Sequence, residues 1–395
     1  MGAFTKLAAE IFRQFVVDGV DTSGIYRPPK ADIVTWGTEL ENLSGDFYSA
    51  AVNMAFDDLF TDADHKSIVV MPADGTSVTA TVDIISNLRD GYAIAFHNPK
   101  SSPRFHTVNF GADQILLPPW RTVVIFRSGT DLLADRDPGR YRKNGVQLFA
   151  APGGADTSDG LSSTYPKQTL KSACSFVYAQ IDCMNGEPVL NTVGSFTDTV
   201  TLQGQLTGYN YLRITAANRG DTVWSADGGF CLLVGDNAEA ILQRLMFNRG
   251  TNASAILIAT HQPGVLDIDD CDFGDAGASA GTHASMDHGG STMNFGLYSV
   301  SGDAGTHLQI GGACSGTQSG GVTIVISNNP SIGVWFSISG SGANHAMGSG
   351  VTYSGPIQAG CIKYLVSVNA SASLSGNVPP GTIAGSATAG GQVIA

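Results

Sequence analysis

The sequence is short of charge. Asp, Glu, Lys and Arg make up 14% of its 395 residues, against about 25% in an ordinary globular protein. The shortage deepens along the chain: Glu is absent after Glu239, Lys363 is the only Lys or Arg after Arg249, and no charged residue occurs from 304 to 362. With a formal net charge of −13, the chain lacks the clustered cations that neutralise phosphates, which excludes nucleic acid as its partner. The uncharged stretch is broken throughout by Gly, Ser, Thr and Asn. It offers no apolar run of about 18 residues, so no membrane insertion is predicted. The first residues, MGAFTKLAAEIFRQF, are amphipathic and charged, without the apolar core of a secretory signal. No C-x-x-C pair joins Cys174, Cys183, Cys231, Cys271, Cys314 and Cys361. They read as buried reduced thiols, with zinc or disulfides as the alternatives. No P-loop and no dinucleotide fingerprint follows a strand, so no cofactor is predicted.

What the chain does have is 49 glycines and a 43% apolar fraction. That is too apolar for a disordered acidic chain, and the glycines are too irregularly placed for collagen. Residues 1–45 carry helix-spaced apolar positions, Phe4, Leu7, Ile11, Phe12 and Phe15, then Ile33, Trp36 and Leu40 after the breaker Arg27-Pro28-Pro29-Lys30. A third helix is predicted from 46 to about 59. Short helices cannot bury such stripes on themselves, which predicts packing on a partner chain or particle, or a local cap on the next domain. Within 46–147 the period changes to two, in short segments at 67–71, 77–84, 92–96, 115–117 and 121–126, a small β-rich module. Arg136, Arg140, Arg142 and Lys143 follow it, either a solvated linker face or a patch for an acidic glycan or subunit.

From 148 to 360 short apolar runs recur between Gly, Ser, Asn and Asp, among them 200–202, 230–234, 265–273, 322–326 and 334–338. Many short strands without a long helix mean a sandwich, a barrel or a solenoid. The solenoid explains the composition best, because stacked rungs bury a narrow core of Val, Ile and small residues while Gly and Asn serve the corners. The Gly- and Ser-rich segment 361–395 is a poor cap for a lone solenoid, a problem that trimeric packing would solve.

Leu148-Phe-Ala-Ala-Pro-Gly-Gly-Ala-Asp-Thr-Ser-Asp-Gly-Leu161 resembles the strand–loop signature that opens right-handed parallel β-helices in phage tail spikes and tail fibres. In that family a helix of the type PFATIQKAVD follows and caps the solenoid, and Tyr165-Pro-Lys-Gln-Thr-Leu-Lys-Ser-Ala-Cys174 stands in its place, with Lys167 and Gln168 where the family prefers Phe and Ala. Asp198-Thr-Val-Thr-Leu-Gln-Gly204 is similar to the first rung. The stretch from Phe4 to Leu40 and the Gly-rich ending resemble tail proteins of prophages of soil alphaproteobacteria. The resemblance implies a homotrimeric virion protein, anchored to other tail or baseplate proteins by its N-terminus, with a cap helix within 165–183.

Tail spikes often cleave surface polysaccharide, which directs attention to carboxylates. Five aspartates fall within 265–275. On one strand Asp267 and Asp269 would share the outer face with Cα atoms about 6–7 Å apart, compatible with the spacing of glycosidase acid pairs. Surface aspartates, turn caps and a bound cation are the other readings. His283, Asp287 and His288 make a ligand-like set without a helix to align it, so no metal site is assigned. Gly312-Ala-Cys-Ser-Gly316 has no following helix and is set aside. Trp224, Tyr298, Trp335 and Tyr353 are candidate sugar platforms, or core or subunit-interface residues.

The sequence therefore predicts a mainly β protein: a short α-helical N-terminal anchor, a small β module, and a right-handed parallel β-helix packed as a homotrimer. Its expected role is that of a virion tail fibre or tail spike, made in the bacterial host cytoplasm, that attaches to envelope polysaccharide. A polysaccharide depolymerase of the same architecture and a purely structural head spike or baseplate spacer are the alternatives.

Overall fold

A computed structural model describes residues 140–395 apart from 227, 228 and 252. Before residue 140 it describes 58–60, 68–72, 78–82, 93–99, 104–111, 113–128 and 131–134. The anchoring stripes from Phe4 to Leu40, and Arg136, lie outside the described residues. The chain divides into two compact units, Met1–Gly139 and Arg140–Ala395.

In the first unit, strands alternate between two four-stranded sheets. One sheet orders Asp58–Phe60, Thr79–Val82, His106–Phe110 and Asp113–Leu117, and the other Ile68–Val70, Ala93–Asn98, Arg121–Ser128 and Asp131–Ala134. The early pairs are parallel; Ala93–Asn98 then pairs antiparallel with Arg121–Ser128, and each sheet ends in an antiparallel hairpin. The shared core includes Val69, Phe96, Val108, Leu117, Val123 and Ile125. Asp58–Phe60 is a strand where the helix expected from 46 was to end, and 46–57 lie outside the described residues. A short apolar run does not distinguish strand from helix by period, and here it pairs in parallel with residues 80–82.

The second unit is a parallel β-solenoid of about ten turns. Three sheets line it: ten strands from Gln147–Ala150 to Gln392–Ile394, seven from Gly194–Phe196 to Thr352–Ser354, and eight from Val200–Gln203 to Ser386–Ala387. One turn shows the winding. The chain runs through Val189–Thr192, Gly194–Phe196 and Val200–Gln203, then returns as Leu212–Ala216 beside Val189–Thr192. Alternation within each strand sends every second side chain inward. Leu190, Ile214, Leu242 and Ile268 therefore form one buried column, in register from turn to turn. A second column stacks rings: Trp224, Phe247 and Phe273 are buried, with successive centroids 6.1 and 6.0 Å apart. Turn length varies because the excess goes into outer loops. Register partners Met293 and Gly316 stand 23 residues apart, and Gly316 and His345 stand 29 apart. Some corners demand glycine: Gly355 has a φ of 118°, and a Cβ there would run into the carbonyl oxygen of Ile326.

The single helix among the described residues, α1 (Leu170–Gln180), sits at the first turn. Its N-cap Thr169 accepts a hydrogen bond from the Ser172 amide, and its Leu170, Ala173, Cys174, Phe176 and Val177 are buried. The preceding loop is built to aim it. The Asp156 carboxylate accepts from the amides of Gln168 and Thr169, at 3.0 and 2.9 Å. Lys167 bridges in parallel to Ala150, donates its ammonium to the Asp156 carbonyl at 2.7 Å and lies over the Phe176 ring. The cation is thus buried with an acceptor and a π-face, which lets a Lys occupy a position suited to an apolar side chain.

Candidate functional site

The chemically richest surface among the described residues is the corner between the ten-stranded and seven-stranded sheets. The chain turns there through non-glycine residues in the left-handed region: Arg244 has a φ of 59°, and Asp270, at the same corner one turn on, a φ of 54°. Asp tolerates this conformation through its short polar side chain, whereas Arg does so at a cost. The turn at Asp270 splits the run 265–273 into two strands on two sheets, Val265–Asp269 and Cys271–Phe273.

Asp267 and Asp269 do share an outer face, but the corner changes what surrounds them. Asp267 accepts a hydrogen bond from the Asn294 amide at 2.7 Å, and Asn294 accepts one from the Thr317 hydroxyl at 2.5 Å. That makes a polar ladder up one column of the sheet. Asp269 is exposed, with the Gln243 amide at 3.4 Å. Beyond the corner, Asp272 accepts from Ser299 and Ser301, each at 2.8 Å. Arg219 reaches across turns, donating to the Ser299 hydroxyl at 3.0 Å and pairing with the Asp270 carboxylate. Asp275 pairs with Arg249 at 2.9 Å and holds the Gly277 amide. Arg219 escaped the sequence reading, as did the partners of Asp270 and Asp272, themselves counted there among the five aspartates of 265–275. Asp272 carried a local signal, a charged residue between buried Cys271 and Phe273, but Arg219 and Ser299 are 80 positions apart and meet only through the winding.

Along the same corner lies a cleft of about 330 Å³. Phe149, Pro166, Val193 and Ala216 give it mostly apolar walls, Thr215 and Arg244 give it polar groups, and no carboxylate lines it. The Arg244 guanidinium donates to the Ala217 carbonyl at 2.9 Å, to the Thr215 hydroxyl at 3.1 Å and to Gln243, while its Nε is buried with no partner. A second cleft of about 440 Å³ runs between α1 and Val200–Gln203, with Lys171 and Tyr178 in its lining.

The aromatic candidates sit elsewhere. Trp224, Tyr298 and Trp335 are buried inside the solenoid, and Tyr353 is half-buried with its ring edge-on to Trp335 at 5.7 Å. The first three therefore have no ring face open to a sugar. The exposed ring near the cleft is Tyr165, next in sequence to the lining residue Pro166. Of the basic stretch, Arg142 pairs with Asp182 and Arg140 donates to Thr207.

The interior also takes in histidines. His283 Nδ1 lies 2.9 Å from His307 Nδ1, so one ring donates and the other accepts, and His307 Nε2 lies 3.1 Å from the Tyr298 hydroxyl. Burial brings His283 and His345 down to about 4, and His307 is held well below its ordinary value by burial first and then by repulsion from charge on His283 and His345. His283 thus points inward while Asp287 and His288 are exposed and pair with each other at 3.2 Å. The ligand-like set is split, and among the described residues no group of three metal-ligating side chains exists. All six cysteines are buried and none is joined in a disulfide. Burial pushes the Cys271 thiol up to about 12 and that of Cys314 upward, which removes the thiolate a nucleophile needs.

No protein-family model, curated protein or solved structure matches the chain.

Proposed function

We propose that this protein is a bacteriophage tail fibre or tail spike that attaches the virion to its host by binding envelope polysaccharide, without cleaving it. The observation that carries binding over cleavage is the commitment of four of the five corner aspartates, which leaves Asp269 without a second free acid to face. Asp267, Asp270, Asp272 and Asp275 each hold a neighbouring side chain or amide. Glycoside hydrolysis instead asks for one carboxylic acid and one carboxylate facing each other across a substrate groove. The cleft beside them has apolar walls, a polar rim and no acid, the make-up of a recognition site. The tail-protein assignment, the homotrimer and anchoring through the N-terminal stripes draw their support from the resemblance of 148–174 to tail spikes and from the solenoid itself. The test is incubation of the purified protein with host surface polysaccharide, read by new reducing ends and by pull-down on whole cells. Binding without new reducing ends is the expected result. Cleavage that disappears in Asp267→Asn or Asp269→Asn would install the depolymerase instead, and neither binding nor cleavage would leave a structural virion part.

A further inference from the structure

Arginines are scarce beyond Lys171, and three of the four there are matched with acids: Arg213 with Glu187, Arg219 with Asp270 and Arg249 with Asp275. Arg244 is the exception. Among the described residues no carboxylate reaches it, its three donated hydrogen bonds go to neutral oxygens, and its Nε is buried with no acceptor. Its backbone is held in the left-handed region, an arrangement that persists only where the surroundings enforce it. This half-buried cation lines the cleft of about 330 Å³, whose other walls are mostly apolar and free of acids.

We infer that this cleft binds the carboxylate of a uronate unit in an acidic surface polysaccharide, seated on the Arg244 guanidinium. This inference rests on the attachment reading above and names the class of sugar. The Nη1 hydrogen left over after the Ala217 bond donates to the carboxylate as one charge-assisted hydrogen bond. The apolar face of the pyranose then lies against Phe149, Pro166 and Val193, the geometry in which carbohydrate buries its C–H surface. A neutral sugar would leave the Arg244 charge uncompensated. The cleft lining itself holds one cation and no anion.

The experiment is calorimetric titration of the full chain with tetrameric oligogalacturonate and glucuronate-containing oligosaccharides, and with the same oligomers after reduction of their carboxyl groups. Reduction is expected to weaken binding about tenfold to a hundredfold, the loss of one charge-assisted hydrogen-bonded contact. Arg244→Met is expected to do the same to the acidic oligomer and nothing to the reduced one. Because Arg244 also ties the corner to Ala217 and Thr215, Val193→Asp serves as a second variant. It sets an acid in the cleft with the guanidinium intact, and it is expected to give the same selective loss. Equal affinity for acidic and reduced oligomers, native affinity in both variants, or no binding of any acidic oligomer would each overturn the inference. Cell adhesion separates the two readings: host cells bound equally by native protein and Arg244→Met would overturn the cleft and keep attachment. Native protein that binds oligouronate through Arg244 but no cells would keep the cleft and end the attachment reading.

Discussion

Between Glu187 and Asp275 the solenoid turns are tied on the outside by arginine–carboxylate pairs, whereas beyond 304 the same work falls to hydroxyls and amides. Ser315 bonds to Asn344 at 3.0 Å, and Thr323 meets Thr352 at 2.8 Å. The winding does not register the change. Both stretches keep the three parallel sheets; the ten- and seven-stranded sheets pass from one to the other in register, and the eight-stranded sheet does so after one bulge between Gly277 and Thr282. The difference teaches that ladders and interior packing specify the coil and that charge is an addition to its surface. It also isolates the interiors, which differ as much as the exteriors. The earlier turns stack Trp224, Phe247 and Phe273, while the later ones bury His307, Trp335 and His345.

The comparison breaks most sharply at Phe273, which packs against Phe247 on one side and against His283, His307 and Tyr298 on the other. Phe273→Ala is expected to cost about 3–5 kcal/mol, seen as a lower denaturant midpoint and lost amide protection in the turns on both sides. A cost below about 1 kcal/mol would mean that the ring column is not what joins the two halves.

Acid should single out the later turns. Histidine is protonated below about 6.5 in the unfolded chain, while His283 and His345 stay neutral in the fold down to about 4. The folded state therefore binds fewer protons in that window. Stability is fully present above pH 6.5 and falls as the pH drops toward 4, by up to about 3 kcal/mol per histidine. His345→Met, which removes a ring with neither nitrogen hydrogen-bonded, is expected to flatten that slope in denaturant midpoints measured from pH 7 to 4.5. A slope unchanged by the substitution would assign acid sensitivity to other groups.

The smallest effects belong to the outer ties. Arg219→Met removes a pair whose side chains are 30% and 34% exposed; after allowance for solvent screening the cost is about 1 kcal/mol or less. Thr323→Val, at an exposed hydroxyl pair, should fall within about 0.5 kcal/mol. If thermal melts of the two variants reverse this order, the hydroxyl ladder matters more to the coil than the ion pairs do.

Much of the coil was legible in the sequence, because short β-rich runs between Gly, Asn and Asp leave a solenoid few competitors. Corners were less so. The run 265–273 reads as one strand until Asp270 turns left-handed, a conformation that Gly advertises and Asp does not. The placement of Asp267 and Asp269 on one face followed from period two alone. Their partners did not, since Asn294 lies 27 residues away and turn length fluctuates. The large aromatics were ambiguous for a related reason: period two says that a ring alternates with its neighbours, and the third sheet decides whether its side is interior.

Turns of unequal length that keep the ten-stranded sheet in register have an evolutionary corollary. Thr292 pairs with Ser315, so excision of residues 292–314 would bring strands already shaped for the same columns together, and duplication would do the reverse. The molecule's reach is therefore heritable in whole steps of about 4.8 Å, open to recombination between related genes without redesign of either junction.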